Sequence, residues 1–320
     1  MSEMKEMVDR IRNGSNFLIT SHRGPDGDAL GSSLALQAIL HKLGKRARVI
    51  VRDRWADPLD FTPGAETVEI IDTLPDDYPD SYDALFTMEC PEAERCGFDI
   101  LPGPVVNVDH HVGNEMYGEI NVLDVEAPSV GEMLLELAGE LDVEIDAGIA
   151  TAIYISLASD TGFFRYTNTT QRAFDAATKL VRAGADPGQI SLELNENLRP
   201  QALRLLGRCL ETLEMHLDGR VSVMRMTSAM LTEVEATAED ADGISAWGRR
   251  ISGVQVAAFL KEVEDGTRVS LRAKPGADVY EVAKRFGGGG HRAASGCFIA
   301  EPIEKAQKTL LDALRNALDG

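Results

Sequence analysis

Cysteine is scarce in this chain of 320 residues: there are four, Cys90, Cys96, Cys209 and Cys297, and no two are spaced as a CxxC pair. A disulfide framework needs paired, regularly spaced cysteines, so small buried or reduced thiols are the better reading, and a cytoplasmic location is the expectation. Long apolar runs are missing too. The opening segment MSEMKEMVDRIRNG sets Met4, Met7, Val8 and Ile11 at helical spacing among charges, which predicts a surface helix and neither a signal peptide nor a membrane anchor. Positive charge is in deficit, with 32 Lys+Arg against 52 Asp+Glu and a net charge of −20. Tight, sequence-independent binding of long nucleic acid draws on many cations neutralising many phosphates, so a long duplex is not an expected partner. Small phosphorylated ligands need only a local basic pocket. The sequence holds no internal repeat and no low-complexity segment.

What is present is ordinary for soluble folded protein, with 44% hydrophobic and 26% charged residues. The length suggests two globular units. In the first half, short apolar runs alternate with amphipathic segments, the pattern of an α/β fold whose mostly parallel sheet carries helices on both faces. Asn16 to Ser21, Arg48 to Val51, Asp83 to Met88 and Pro104 to Val108 read as strands. DALGSSLALQAILHKLG reads as a helix ending at Gly44. From Ser129 the chain turns helical through SVGEMLLELAGEL, AGIATAIYISLAS and TTQRAFDAATKLVRAG, the last with Thr170 as N-cap and Gly184 as stop. Helix around Pro187 and Pro200 then leads to a smaller α+β unit. There RVSVMRM, VQVAAFLKEV and RVSLRAK read as strands, the last two joined at Glu264-Asp265-Gly266, and DVYEVAKRF and EKAQKTLLDALRNAL as helices. The expected organisation is a domain over 1–190, a helical linker over 191–215 and a second domain over 216–320.

The sharpest chemical signal is His22-Arg23-Gly24-Pro25-Asp26-Gly27-Asp28, between the first strand and a helix. Imidazole together with carboxylate suits Mn²⁺, Zn²⁺ or Fe²⁺. A helix cap at Asp28, or a simple turn over Gly24 to Gly27, is the competing structural explanation. Asp109-His110-His111 also follows an apolar strand, Glu89 follows another, and ligands of open parallel sheets bind beyond the carboxyl ends of strands. Asp160, next to Thr161-Gly162, is the fourth candidate. Taken singly, Glu89 or Asp160 would read as a solvated or capping acid. In the second unit Gly287 to Gly290 precede His291 and Arg292. A glycine run is by default a linker or tight turn, but here it can bring backbone N–H groups up to an anion.

These motifs together resemble the DHH phosphoesterase family, and within it the nanoRNase and pAp phosphatase type. The resemblance rests on SHRGPDGDALGS, NVDHH, SLASDTGFFRYTNTT, VSLRAK and FGGGGHRAASG, spread over nearly the whole chain. It implies a DHH catalytic domain followed by a DHH-associated domain. His22 and Asp26 would hold one divalent cation, and Asp28, His110 and Asp160 a second. The acid after the third strand would bridge them. That acid is usually aspartate; here it is Glu89, which has the same oxygens on a side chain longer by one methylene. Asp109 would orient a ligand, and His111 would face the substrate phosphate. Arg165, Arg272, Gly288, Gly289, Gly290, His291 and Arg292 would grip the nucleotide, the second domain closing over the first.

The implied reaction is Mn²⁺-dependent hydrolysis of a phosphate ester by an activated water, with the leaving group protonated by water or by His111. The substrates expected are oligoribonucleotides of two to five units, cut to 5′-mononucleotides, with 3′-phosphoadenosine 5′-phosphate (pAp) as a second substrate. Linear or cyclic dinucleotides stay open as alternatives, as does a non-catalytic nucleotide sensor in which Glu89 has altered the metal bridge. No membrane partner is expected, and a homodimer is left open.

Overall fold

Short apolar segments line up as a parallel six-stranded sheet within Met1–Asn197, the first of two units into which the chain divides; the second is Leu198–Gly320. The computed structural model describes residues 2–55, 58–98, 100–241 and 243–318. In chain order the first unit runs α1 (Ser2–Asn13), β1 (Asn16–Ser21), α2 (Gly27–Lys42), β2 (Arg46–Val51), β3 (Glu69–Ile70), β4 (Ala84–Met88), β5 (Val105–Asp109) and β6 (Ile120–Leu123). Four helices follow: α3 (Val130–Glu140), α4 (Ala147–Asp160), α5 (Gln171–Arg182) and α6 (Pro187–Asn195). The strand order is β3-β2-β1-β4-β5-β6. The chain therefore builds outward from β1 in one direction, then restarts at β4 on the other side. That reversal leaves a crevice beyond the carboxyl ends of β1 and β4, where open α/β sheets bind ligands.

Period-2 alternation sends successive side chains to opposite faces. Phe17, Ile19, Val49, Val51, Phe86, Met88, Val106 and Val108 share one core with apolar residues of all six helices. Met7, Val8 and Ile11 of α1 lie in that core, so the amphipathic stripe legible in the first residues is its buried face. Leu18, Ile50 and Leu85 point the other way, against Tyr78, Tyr82, Cys90, Cys96 and Phe98. The second face is covered by the irregular stretch around 71–101, whose helical content among the described residues is the 3₁₀ turn Ala93–Cys96. Cys90 and Cys96 are buried as free thiols 3.3 Å apart.

Three helices cross at very short range through small residues. A Cβ on Gly31 of α2 would sit 2.5 Å from the Ala152 carbonyl of α4, and one on Gly131 of α3 would sit 2.1 Å from Ser156 Oγ. Glycine is required at both positions by this close approach. The crossing brings the N-termini of α2 and α3 against the C-terminal half of α4.

The second unit is a mixed sheet between two helical layers. Its elements are α7 (Pro200–Glu211), β7 (Glu214–His216), β8 (Val221–Met226), α8 (Ser228–Val234), α9 (Ser245–Arg249), β9 (Val256–Val263) and β10 (Gly266–Ala273). The chain ends with α10 (Tyr280–Lys284), β11 (Gly289–Gly290), β12 (Ala294–Ile299) and α11 (Ile303–Leu318). The order β11-β12-β10-β9-β8-β7 contains one parallel pair, β8 with β9. One face packs Val223, Ala258, Leu260 and Leu271 on Ile303, Leu310 and Leu314 of α11. The other packs Met224, Met226 and Phe259 on Leu205 and Cys209 of α7 and on Ile244. The stretch 191–215, expected as a linker, is thus divided: α6 belongs to the first unit and α7 to the second. Among the described residues no helix is long and apolar enough to cross a membrane.

Substituting Gly31→Ala should destabilise the first unit by about 1–3 kcal/mol, because the opposing atom is backbone and overpacking cannot be relieved by a rotamer. Gly139→Ala, on the same bundle with open space around it, should instead stabilise by about 0.5–1 kcal/mol through helix propensity. Urea denaturation of the two variants checks both signs.

Candidate metal centre and its surroundings

The register of the sheet sets three side chains next to one another. Ser21 pairs with Met88 and Met88 with Val108, so His22, Glu89 and the Asp109–His110 pair leave the sheet at one edge. After β1 the chain turns through Gly24, left-handed at φ 58, and enters α2. Asp26, rather than Asp28, is the N-cap: its Oδ1 accepts from the amides of Asp28 (3.0 Å) and Ala29 (3.1 Å). That frees Asp28 from capping. Its carboxylate is buried and accepts from the Val130 amide (2.8 Å), the Gly131 amide (3.2 Å) and Ser156 Oγ (2.6 Å). The first turn of α3 and the tight crossing described above therefore hold Asp28 in place.

The two candidate imidazoles are oriented by backbone carbonyls, which only accept hydrogen bonds. His22 Nδ1 donates to the Arg23 carbonyl at 2.9 Å, and His110 Nδ1 donates to the Ala127 carbonyl at 2.9 Å. Each Nε2 is thereby turned toward carboxylates, the arrangement in which outer partners fix a metal-binding histidine. His22 Nε2 lies 3.4 Å from Glu89 Oε2 and 3.9 Å from Asp26 Oδ1. His110 Nε2 lies 3.8 Å from Asp28 Oδ2 and 3.7 Å from Asp160 Oδ2. Most of these gaps exceed good hydrogen-bond length and suit donors spread around a cation.

Three groups of donors fall within 4.8 Å of one another: His22 with Asp26 and Glu89; Asp28 with Glu89, His110 and Asp160; and Glu89 with His110 and His111. Glu89 is common to all three. It is 3% exposed, and its Oε2 is buried without a hydrogen-bond partner among the described residues. A buried carboxylate oxygen left in this state is costly unless a cation or proton meets it. Accordingly, burial followed by the charges of Asp26, Asp28 and Asp160 pushes the Glu89 carboxyl well above its ordinary range. Burial also raises Asp160, to about 7. For His110, burial opposes charging, but Asp160, Asp28 and Glu89 outweigh it and lift the imidazole to about 9. Nitrogen and oxygen donors with this excess of negative charge fit divalent cations such as Mn²⁺.

Several supporting side chains carry no signature that a single sequence reveals. Ser156, mid-helix in α4, reads as an ordinary small residue, yet its hydroxyl reaches Asp28. Asn114 Nδ2 donates to Asp109 Oδ2 at 2.6 Å, while Asp109 Oδ1 accepts from His111 Nδ1 at 2.7 Å. Asn168 Nδ2 lies 3.2 Å from Asp160 Oδ2 and 3.1 Å from the Pro128 carbonyl, tying the end of α4 to the start of α3. Asn168 returns to Asp160 over a turn in which Gly162, Phe163 and Phe164 are all left-handed, at φ 57, 56 and 59. Three such residues in succession, two of them aromatic, are a marked departure from ordinary backbone.

The other predicted residues occupy separate places. Arg165, within the first unit, donates through Nε to the Gly162 carbonyl at 2.5 Å. Arg272 stands on β10 opposite Ala294 of β12. Gly289 and Gly290 form β11, a short hairpin arm on β12 that the sequence reading did not foresee. That hairpin accounts for two of the glycines. A Cβ on Gly288 would meet the Gly296 carbonyl at 2.1 Å, and Gly290 has φ 127 with the Ala294 carbonyl 2.5 Å from its Cβ position. Gly289 has open space around it. The His291 amide donates to the Ala294 carbonyl, and Arg292 is 86% exposed beside Asp278.

Comparison with known proteins bears on both units. The model of the DHH family N-terminal domain matches residues 16–157, and that of the DHHA1 domain matches residues 222–319. A bifunctional oligoribonuclease and PAP phosphatase, NrnA, of Thermus thermophilus is 32% identical over 94% of this chain and 89% of its own. The crystal structure of an exopolyphosphatase-related protein of Bacteroides fragilis superposes with a TM-score of 0.91 at 24% identity, covering 99% of this chain and 97% of that one. RecJ of Thermus thermophilus in complex with Mn²⁺ shares the fold at TM-score 0.57 and 14% identity, over 98% of this chain and 54% of RecJ.

Two measurements test the centre. With Asp160 raised to about 7 and His110 to about 9, the folded protein without metal binds more protons than the unfolded chain over pH 4–9. Its stability should therefore fall as pH rises through that window. Cations must displace those protons, so stabilisation by Mn²⁺ should grow over the same range. Melting curves in chelator and in Mn²⁺ at several pH values report both slopes. Asn114→Ala should lower turnover by about 10–100-fold through loss of His111 orientation while leaving Mn²⁺ affinity within a factor of about three, read by calorimetric titration.

Proposed function

The chain belongs to the DHH family, and from that premise we propose that it is a divalent-metal phosphoesterase cutting oligoribonucleotides of two to five units to 5′-mononucleotides and removing the 3′-phosphate of pAp. The single observation that carries this reading is Glu89, buried and common to all three donor groups at the edge where β1, β4 and β5 end. The similarity of the chain over most of its length to a bifunctional oligoribonuclease and PAP phosphatase supports the choice of substrates. The buried free thiols Cys90, Cys96 and Cys209 fit a reducing compartment such as the cytoplasm.

In this reading His22, Asp26 and Glu89 would hold one cation, and Asp28, Glu89, His110 and Asp160 would hold the other, Mn²⁺ being the best match to the donors. Such cations supply Lewis-acid charge to the phosphoryl oxygens and acidify the attacking water. The protein's own residues do the rest. Asp28 and Asp160 are locked by hydrogen bonds from α3, Ser156 and Asn168, so their oxygens need no rearrangement as the ester is engaged. Asp109 accepts from His111 Nδ1 and so presents Nε2 as the ring's working atom. His111 in its protonated form then donates to a phosphoryl oxygen or to the leaving oxygen. In the first unit Arg165 would meet phosphate charge; within the second unit Arg272, His291, Arg292 and the Gly289–Gly290 segment would offer a phosphate-binding surface of their own, the Gly288 amide being held by the Ala283 carbonyl.

Incubation with Mn²⁺ and labelled di- to pentanucleotides, pAp, a linear and a cyclic dinucleotide, and a long RNA gives the decisive product time course. Release of mononucleotides from the short substrates and of phosphate from pAp is expected. Glu89→Ala should slow both by roughly 10²–10³-fold. Equal rates in Glu89→Ala and the native protein would sink the reading. Nucleotide binding that is indifferent to chelation, with no turnover, would point to a sensor instead.

A further inference from the structure

The excess of acid is confined to the first unit. Residues 198–320 hold 17 Lys+Arg and 17 Asp+Glu, so the net charge of −20 belongs to the residues before them. Within that neutral second unit, several cations collect on one face of the sheet. Ser222, Ala257, Arg272 and Ala294 are successive partners across β8, β9, β10 and β12, so their side chains share a row. The short helix α9 lies on this row through Gly248, where a Cβ would stand 2.5 Å from Ser222 Oγ and 3.0 Å from Ala257 Cβ. Arg249 reaches the Ala273 carbonyl at 3.3 Å, and Lys274 reaches the Ile251 carbonyl at 2.8 Å. Arg272, Lys274, Arg249 and Arg250 therefore surround one end of α9, and Arg292 stands two residues before Ala294.

Trp247 is out of keeping with a structural role there. The buried side of α9 is Ser245 and Gly248, whereas Trp247 is 39% exposed and carries the Arg250 guanidinium 4.2 Å from its ring centroid. An indole beside several cations is the combination by which proteins hold single-stranded nucleic acid, the cations on phosphate and the ring under a base.

We propose that Trp247 is a base-stacking subsite for short single-stranded oligonucleotides. One base lies on the indole face opposite Arg250, and Arg249, Arg250 and Lys274 meet the adjoining phosphates. The proposal rests on the oligonucleotide reading of the preceding subsection for its ligand class, but its test needs no hydrolysis.

Intrinsic tryptophan fluorescence is titrated in chelator with a trinucleotide and with the matching abasic phosphodiester. The trinucleotide should quench the native protein, while the abasic strand should quench little. Trp247→Phe should abolish the quenching yet keep calorimetric affinity within about threefold. Trp247→Ala should weaken affinity by about tenfold, in line with the loss of one base–aromatic stack, and Arg250→Gln should weaken it less. Equal quenching by the abasic strand, or unchanged affinity in Trp247→Ala, would overturn the subsite. Binding that depends on Trp247 without turnover on any substrate would keep the subsite and remove the phosphoesterase reading; turnover with no dependence on Trp247 would do the reverse.

Discussion

Like-charge crowding at one sheet edge is the constraint on which the site depends. Asp26, Asp28, Glu89 and Asp160 converge with the imidazoles of His22, His110 and His111. Left alone, such a group drives protons onto its own members, as the raised Asp160, Glu89 and His110 indicate. The fold does not relieve the repulsion. It fixes the carboxylates with hydrogen bonds from helix amides and small side chains, and so leaves compensation to protons or, in the proposed reading, to cations.

The rigidity needed for this comes from close helix packing. Gly31 and Gly131 let α2, α3 and α4 approach until Ser156 touches both the α3 amides and Asp28. A buried polar cluster is stable only when every member is satisfied. Here hydrogen bonding extends outward through Asn114 and Asn168 to Asp109 and Asp160, while the Glu89 oxygen at the centre is buried without a hydrogen-bond partner among the described residues.

Much of this was legible in the sequence, for physical reasons. β1, β2, β4 and β5 are short apolar runs bounded by polar residues, and such runs in a parallel sheet end where ligands bind. His22, Glu89 and His110 could thus be assigned to one edge from their positions alone. The weaker elements escaped: β3 and β11 have two residues each, and β6 lies at the sheet edge with Leu123 exposed, so neither length nor alternation marks them. Ser156, Asn114 and Asn168 escaped for a different cause. Their importance lies in contacts across 5 to 128 residues of chain, and no local periodicity encodes a partner at that distance. The competing explanation of Asp28 as a helix cap is met by Asp26 instead; both are well placed in sequence, and only the buried α3 amides on Asp28 distinguish them.

One backbone angle makes position 89 unusual. Glu89 is left-handed at φ 58 while its amide still bonds the Val108 carbonyl at 2.9 Å. Aspartate and asparagine enter that region more readily than longer side chains, since their short polar groups bond locally. Aspartate here would relax the main chain and at the same time withdraw the carboxylate by one methylene from His22 and His110. Conformational ease and chemical reach therefore trade against each other at a single residue. The chain has settled that trade in favour of reach, and the left-handed backbone at Glu89 bears the strain.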